Sequence, residues 1–122
     1  MILVDTSVWI DHFRTGEPYL VDLLNNEDAL MHPFIIGELA CGNLQNRKEI
    51  LALLGNLPSV PHARNGEVLA LIENCSLMGR GIGYIDVHLV GSVLLADGVK
   101  LWTRDKRLAI LSNELSLLYE PP

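Results

Sequence analysis

The sequence predicts a three-layer α/β domain, in which helices flank a short and mostly parallel sheet. Short apolar runs that suit buried strands alternate along the chain with longer segments whose apolar residues recur at three- and four-residue spacing. Several of the short runs are followed closely by an aspartate and then by a helical pattern. The length of 122 residues and the 49% hydrophobic content predict one domain, residues 1–122, with a substantial core.

The first element is predicted to be a strand that ends in an acidic residue. Met1 to Val4 is apolar but too short for a helix, and Asp5, Thr6 and Ser7 follow it directly. A helical pattern of bulky apolar residues comes next. Asp5 is therefore either a helix cap or one of several ligands for a divalent cation, since such a site needs oxygen atoms from different elements.

The middle of the chain is predicted to alternate helices with short extended segments. Turn residues and proline separate the first helix from a second one, and the prolines at 58 and 61 predict a loop or a marginal edge strand. The remaining predictions are a strand from Ala29 to His32, a helix beginning at Pro33, helices from Gln45 to Leu54 and from Glu67 to Met78, and a last strand from Leu115 to Tyr119.

Glu38 interrupts the apolar stretch of the helix that begins at Pro33. Gly37 removes side-chain bulk beside it, which would allow Glu38 to face partly inward. Because an unpaired buried carboxylate is costly, an inward Glu38 needs a partner or a metal ion, and otherwise the side chain is exposed. The residues alone leave these outcomes open.

A complete helix-to-strand unit is predicted between Gly83 and Leu108. Asp86 follows a glycine-rich approach and suits a helix N-cap. A buried strand from Val99 to Trp102 comes after this helix, and Asp105 can cap the next one, from Lys106 to Leu111. Three aspartates thus lie at strand ends or helix starts. Ligands of open α/β sheets bind at the carboxyl ends of the strands, so a shared site competes with simple capping roles.

The net charge of −6 argues against a nucleic-acid partner, because phosphate binding normally uses lysine and arginine. The distribution weakens this objection. Between Gly98 and Ile110 the only acid is Asp105, and the basic residues there are Lys100, Arg104, Lys106 and Arg107. This basic cluster is either a polyanion-binding rim beside a metal-filled acidic pocket or a solvated helix face.

Other residue types exclude several classes of site. Cys41 and Cys75 lack CxxC spacing, which predicts reduced, buried thiols in a cytoplasmic protein. No apolar run is long enough to span a membrane, and the start of the chain lacks the features of a signal peptide. The four histidines have no zinc-site spacing, and His88 is predicted to be a surface residue. Asp11 is predicted to be solvated and away from the cleft at the carboxyl ends of the strands.

The order and spacing of the four acids and the segments around them resemble the PIN-domain proteins, and within that group the VapC-type toxins of bacterial or archaeal toxin-antitoxin pairs. The resemblance covers nearly every residue. The matching segments are MILVDTSVWIDHFR, HPFIIGELACG and YIDVHLVGSVLLADGVKLWTRD, and the acids are Asp5, Glu38, Asp86 and Asp105.

The resemblance implies a metal-dependent endoribonuclease in which the four acids gather around one or two Mg²⁺ ions, for which Mn²⁺ can substitute. Thr6 and Ser7 would add a hydroxyl to the metal shell or to a phosphate. Arg104, and with less support Lys106 and Arg107, would contact the RNA backbone. The implied partners are an RNA substrate, a cognate VapB-type antitoxin and a second copy in a homodimer, with no membrane association.

A set of apolar side chains in the first half of the chain is predicted to be incompletely buried in so small a domain. Such patches usually mark protein interfaces, so we expect a homodimer and an antitoxin that covers Trp9 or Phe13 in part. The residues of this set are Val8, Trp9, Phe13, Tyr19, Phe34 and Ile35.

Two other classes of protein remain as alternatives. A PIN fold could serve as a binding module without catalysis, although the presence of all four acids argues against it. A phosphatase-type domain would need a second acid two residues after Asp5, where this chain has Ser7. A receiver-type domain would need an acidic pair before its phosphorylated aspartate and a late lysine after a strand, and neither is found.

Overall fold

A parallel sheet of three short strands lies at the centre of the protein, which we describe from a computed structural model covering residues 1–122. The strands are β1 (Ile2–Val4), β2 (Ala29–Leu30) and β3 (Lys100–Trp102). Their spatial order is β2-β1-β3, and Leu3 in the central strand lies opposite Leu30 and Leu101. The carboxyl end of β1 is therefore next to that of β3, as parallel pairing requires.

Helices make up most of the remaining chain, and their alternation with the strands confirms the predicted α/β class. None of them is both long and apolar enough to cross a membrane. They are α1 (Thr6–Thr15), α2 (Pro18–Asn25), α3 (Pro33–Ala40), α4 (Arg47–Gly55), α5 (Asn65–Asn74), α6 (Tyr84–Leu95) and α7 (Lys106–Glu114).

The α6 helix is the most deeply buried of the seven. Every residue from Val87 to Val93 is buried, and each large apolar side chain in this position stabilises the fold by roughly 1.5–3 kcal/mol. Gly91 permits close packing, because a Cβ there would lie 3.1 Å from the Cβ of Ala63. Ser92 Oγ accepts a hydrogen bond of 3.0 Å from the backbone N–H of Ala63. Core packing thus fixes the helix that carries Asp86.

Several predicted boundaries differ from the structure. The helix predicted to reach Met78 ends at Asn74, and Ser76, two residues beyond, has a left-handed backbone with φ of 53° that cannot continue a helix. The predicted strand from Leu115 to Tyr119 is only an isolated bridge between Leu101 and Leu118. Two more helices have bounds that differ from the prediction. The α4 helix spans Arg47–Gly55 where Gln45 to Leu54 was predicted, and α7 extends beyond Leu111 to Glu114.

Burial also corrects three predictions about side chains. Val8, Trp9 and Ile35 are buried, so the apolar patch on the first half of the chain is reduced to Phe13, Tyr19 and Phe34, which are 36–39% exposed. Cys41 is exposed and Cys75 is partly buried, although both are free thiols as predicted.

His88 is 3% exposed and therefore is not the surface residue that we predicted. Its ring lies edge-on to the rings of Phe34 and Tyr84, with centroids 5.0 and 4.7 Å away. We predicted a surface position because histidines are less often fully buried in proteins than apolar residues are. That general tendency does not account for two aromatic neighbours that only the tertiary fold provides.

Candidate active site

Asp5 lies at the carboxyl end of the central strand and is 5% exposed. Its backbone N–H donates to the carbonyl of Trp102 at 2.9 Å, which anchors it to β3. Its carboxylate caps α1, as the sequence predicted, and the Oδ2 atom accepts from Ser7 Oγ at 2.7 Å and from Thr103 Oγ1 at 2.9 Å. All the hydrogen bonds to this carboxylate converge on Oδ2, which leaves Oδ1 available for a ligand.

Thr103 is a residue of this site that the sequence analysis did not single out. It follows β3 directly, is 8% exposed, and accepts a hydrogen bond of 3.1 Å from the backbone N–H of Asp105 in addition to donating to Asp5. Ser7 Oγ in turn accepts from the N–H of Arg104 at 3.0 Å. The signal that could have identified Thr103 is a polar residue at the end of a strand that pairs with β1. These hydroxyls connect the Asp5 and Asp105 segments.

Asp105 caps α7, as predicted, and its Oδ1 accepts from the N–H of Leu108 at 3.0 Å. The residue is exposed. A capping carboxylate uses one oxygen for the helix and keeps the other free, so a capping role and a ligand role are compatible here.

Glu38 is exposed, which is one of the outcomes that the residues alone left open. Its Oε1 accepts a hydrogen bond of 2.7 Å from Thr6 Oγ1. Thr6 is the first residue of α1, directly after Asp5, and this bond therefore links α3 to the edge of the sheet where Asp5 lies.

Asp86 does not cap α6, because the N-cap residue is Gly83 and Asp86 lies within the first turn. Burial first, and then the carboxylates of Asp5, Asp105 and Glu38 in that order of importance, together raise the pKa of Asp86 to about 6. Three acids from separate parts of the chain are thus near enough to Asp86 to repel its charged form. This electrostatic crowding is the main feature of the site.

The carboxylates suit a hard divalent cation. No three acidic, histidine or cysteine side chains have the spacing of a finished metal centre. Mg²⁺ does not need one, since it keeps several waters and commonly takes only one or two protein carboxylates. A bound cation would also remove the repulsion that raises the pKa of Asp86. The donor set therefore fits Mg²⁺ or Mn²⁺ better than a metal that prefers nitrogen or sulfur ligands.

Arg104 is already paired with two carboxylates. Its Nη1 lies 2.6 Å from Asp11 Oδ2, its Nη2 contacts Glu17 Oε2, and its guanidinium carbon lies 5.8 Å from the ring centroid of Trp102. Hydrogen bonds to Asp11 first and Glu17 second raise the pKa of Arg104. Asp11 is thus ion-paired, with 43% of its side chain exposed, and the prediction of a merely solvated side chain missed this partner.

Lys106 and Arg107, the other predicted RNA contacts on α7, are both exposed. Lys106 follows Asp105 directly, and no carboxylate pairs with it. Arg107 Nη1 lies 3.4 Å from the carbonyl of Gly81. Of the predicted basic contacts, Lys106 and Arg107 therefore both lack a carboxylate partner, and only Arg104 is neutralised.

A groove with a volume of about 720 Å³ opens beside Glu38. One wall comes from α1, and the other comes from the end of α3 and the loop that leads to α4. The lining includes Ile10, Phe13, Arg14, Glu38, Leu39 and Leu44.

Comparison with known proteins agrees with this architecture. The family model described as the PIN domain matches residues 2–113. Two relatives named Ribonuclease VapC32, from the CDC 1551 and H37Rv strains of Mycobacterium tuberculosis, are each 51% identical over 108 residues, which covers 88% of this chain and 87% of the relative.

Proposed function

This chain belongs to the PIN-domain family, and we propose that it is a metal-dependent endoribonuclease that acts as the toxin of a toxin-antitoxin pair. The observation that carries the proposal is the crowding of carboxylates around Asp86, whose pKa is raised to about 6 by burial and by three neighbouring acids. A folded protein retains such repulsion at a stability cost, which is expected where a cation binds.

We assign Asp5, Glu38, Asp86 and Asp105 as the residues that would hold Mg²⁺. When bound, the ion would lower the pKa of a water molecule, orient it and stabilise charge on the phosphate under attack. Ser7 and Thr103 orient the Asp5 carboxylate by donating to its Oδ2 at 2.7 and 2.9 Å. The hydroxyl of Thr6 orients Glu38 in the same way.

RNA would approach over α7. The free ammonium of Lys106 is a natural contact for a phosphate, and Arg104 could contribute after exchanging a carboxylate partner for the RNA backbone. Ser7 and Thr6 already bond to carboxylates, so we assign them an orienting role in place of direct phosphate contact. We expect the protein in the cytoplasm, where its RNA substrate is.

A cleavage assay with purified protein and labelled RNA tests the proposal. The parent should cleave with Mg²⁺ or Mn²⁺ and stop in EDTA, and Asp86→Asn should lose activity because a charged ligand is gone. Asp97→Asn is the matched control, because Asp97 is an exposed acid just beyond the other end of the same helix. Cleavage by Asp86→Asn at the parent rate under limiting Mg²⁺ would overturn the site assignment.

We further propose that the antitoxin acts on the metal site directly. The groove is lined by the exposed ring of Phe13 and by Glu38, one of the four acids, so a partner segment that covers Phe13 could reach this carboxylate with an arginine or lysine. Inhibition should then weaken as Mg²⁺ rises at constant ionic strength. An inhibition midpoint that stays constant across the Mg²⁺ series would refute competition for the site.

A homodimer is the expected oligomeric state. The exposed rings of Tyr19 and Phe34 are apolar surface that a second copy would cover. Light scattering over a range of concentrations measures this, and a monomer at the highest concentration would contradict it.

A further inference from the structure

The loop from Gly79 to Gly83 leads into α6 and ends three residues before Asp86. Gly79 and Gly81 both have φ of 75°, a left-handed conformation that other residues rarely adopt. Ile82 between the last two glycines packs against the hydrophobic core. The path of this loop fixes where the first turn of α6 begins.

Two side chains connect the loop to α7. Arg80 forms a bidentate pair with Glu114 near the end of α7, at 2.8 and 2.9 Å. Arg107, the second residue of α7, places its guanidinium against Gly81. A Cβ on Gly81 would lie only 2.3 Å from Arg107 Nη1 and 2.8 Å from Cζ, so the absence of a side chain at Gly81 is what admits the arginine.

We propose that Arg107 is a positioning residue, which with the Arg80–Glu114 pair braces the loop and so sets Asp86 relative to Asp105. The same helix that begins with the Asp105 cap holds the loop that delivers Asp86. Arg107 therefore acts on the metal site through Gly81 and not through RNA. This inference rests on the proposed metal-binding function. It identifies the contacts that hold the metal site in its geometry.

Calorimetric Mn²⁺ binding tests the brace without RNA and without turnover. Arg107→Met removes the guanidinium, and Gly81→Ala displaces it from the other side. Each should weaken Mn²⁺ binding about tenfold, the lower end of the effect of residues that support metal ligands. The double variant should be no weaker than the single ones, because both remove the same contact.

Two matched controls separate this contact from its side effects. Gly79→Ala imposes the same backbone strain in the same loop, but a Cβ at Gly79 meets nothing within 4 Å. Lys48→Met removes the same charge from an exposed side chain that is likewise the second residue of its helix, α4. Both controls should stay within about twofold of the parent in Mn²⁺ affinity. Equal losses in Gly79→Ala and Gly81→Ala would overturn the brace, since strain alone would then explain them.

The competing role for Arg107 is a direct RNA contact. Binding of a 2′-O-methyl RNA oligonucleotide in EDTA should be unchanged in Gly81→Ala and fall at most twofold in Arg107→Met. If Arg107→Met instead loses RNA affinity, lowers the salt slope by about one and keeps its Mn²⁺ affinity, Arg107 is an RNA contact and the proposal fails.

Hydrogen exchange tests whether Arg107 holds the loop in place, and this test does not depend on the proposed metal site. The N–H of Val87 donates to the carbonyl of Gly83 at 3.1 Å, so its exchange reports whether the loop end stays in place. Arg107→Met and Gly81→Ala should accelerate it severalfold over Gly79→Ala in metal-free protein. Failure of the parent to bind Mn²⁺ would refute the metal site, whereas unchanged Val87 exchange in the variants would refute the brace.

Discussion

Asp5 and Asp86 are two acids of one site that the protein treats in opposite ways. Asp5 is 5% exposed, and its Oδ2 accepts hydrogen bonds from Ser7 and Thr103. Asp86 is half-buried, and its raised pKa has burial and three like charges as its causes. The fold thus positions the Asp5 carboxylate with hydrogen bonds, whereas the charged form of Asp86 lowers the stability of the folded protein. In the proposed metal site, Asp5 would be a rigid ligand and Asp86 one that a cation would stabilise.

The largest expected effect is on cleavage, and it is shared by both acids. Asp5→Asn and Asp86→Asn should each lower the cleavage rate by at least about a hundredfold, since each removes charge from the reacting centre. The two substitutions should change the free energy of unfolding in opposite directions. Metal-free Asp86→Asn should be more stable than the parent by about 1 kcal/mol at pH 7.5, a figure reduced for solvent screening.

Asp5→Asn should instead lose about 1–2 kcal/mol, because it weakens charged hydrogen bonds from two hydroxyls. Urea unfolding in EDTA measures both values. If the two variants change stability in the same direction, the contrast between the acids is wrong.

Thr103 is the support of Asp5 that can be removed with the least change in shape. Thr103→Val keeps the volume but deletes the donor to Asp5 Oδ2, so we expect a loss of about 2 kcal/mol of stability. Thr103→Ser, which keeps the hydroxyl, should recover most of it. Unfolding of all three proteins by urea measures this, and a Val variant as stable as the parent would show that Ser7 suffices.

Much of this architecture could be predicted from the sequence, because it depends on local signals. The strand before Asp5, the proline that begins α3 and the Asp105 cap are all confirmed, since periodicity, Pro at a first helical position and Asp at an N-cap act over a few residues. The family and the α/β fold are confirmed as well. The roles of the four acids in binding metal remain predictions.

The errors share a different physical origin, which is contact between distant segments. Asp11 was predicted to be solvated, yet Arg104 reaches it from 93 residues away in the sequence. Thr103 was overlooked because its partner Asp5 is 98 residues distant. Asp86 was predicted to suit either an N-cap or a shared site, and the N-cap of α6 is instead Gly83. Hydrogen bonds and ion pairs of this kind leave no periodic trace in a sequence.

The pH dependence of metal binding tests the Asp86 half of the comparison. The folded-state pKa of about 6 lies above the ordinary value of 3.8, so this group favours the folded state below pH 4 and that contribution is lost as pH rises through 6. Metal-free stability should therefore fall across this window in the parent but not in Asp86→Asn.

Mn²⁺ affinity should change in the opposite direction, because the ligand must be ionised. With a pKa of about 6, binding at pH 5 should be about tenfold weaker than at pH 7.5. Calorimetry in buffers of matched ionic strength measures it. Equal affinity at the two pH values would mean that Asp86 is not a ligand or is not perturbed.

The smallest expected effect concerns RNA affinity, where the same contrast between satisfied and unsatisfied charges applies to Arg104 and Lys106. Arg104 is neutralised by Asp11 and Glu17, whereas no carboxylate pairs with Lys106. Lys106→Gln should therefore weaken binding of a non-cleavable RNA about fivefold and lower its salt slope by about one, while Arg104→Gln should weaken it only about twofold.

Releasing Arg104 should have the reverse effect. Asp11→Asn removes one of its two partners, at 2.6 Å, so the guanidinium can turn to a phosphate and RNA binding should tighten about threefold. Asp22→Asn is the control, because it makes the same change of charge at an exposed position on α2. Fluorescence anisotropy at several salt concentrations separates the two. Equal tightening by both variants would show that net charge, and not the release of Arg104, governs RNA affinity.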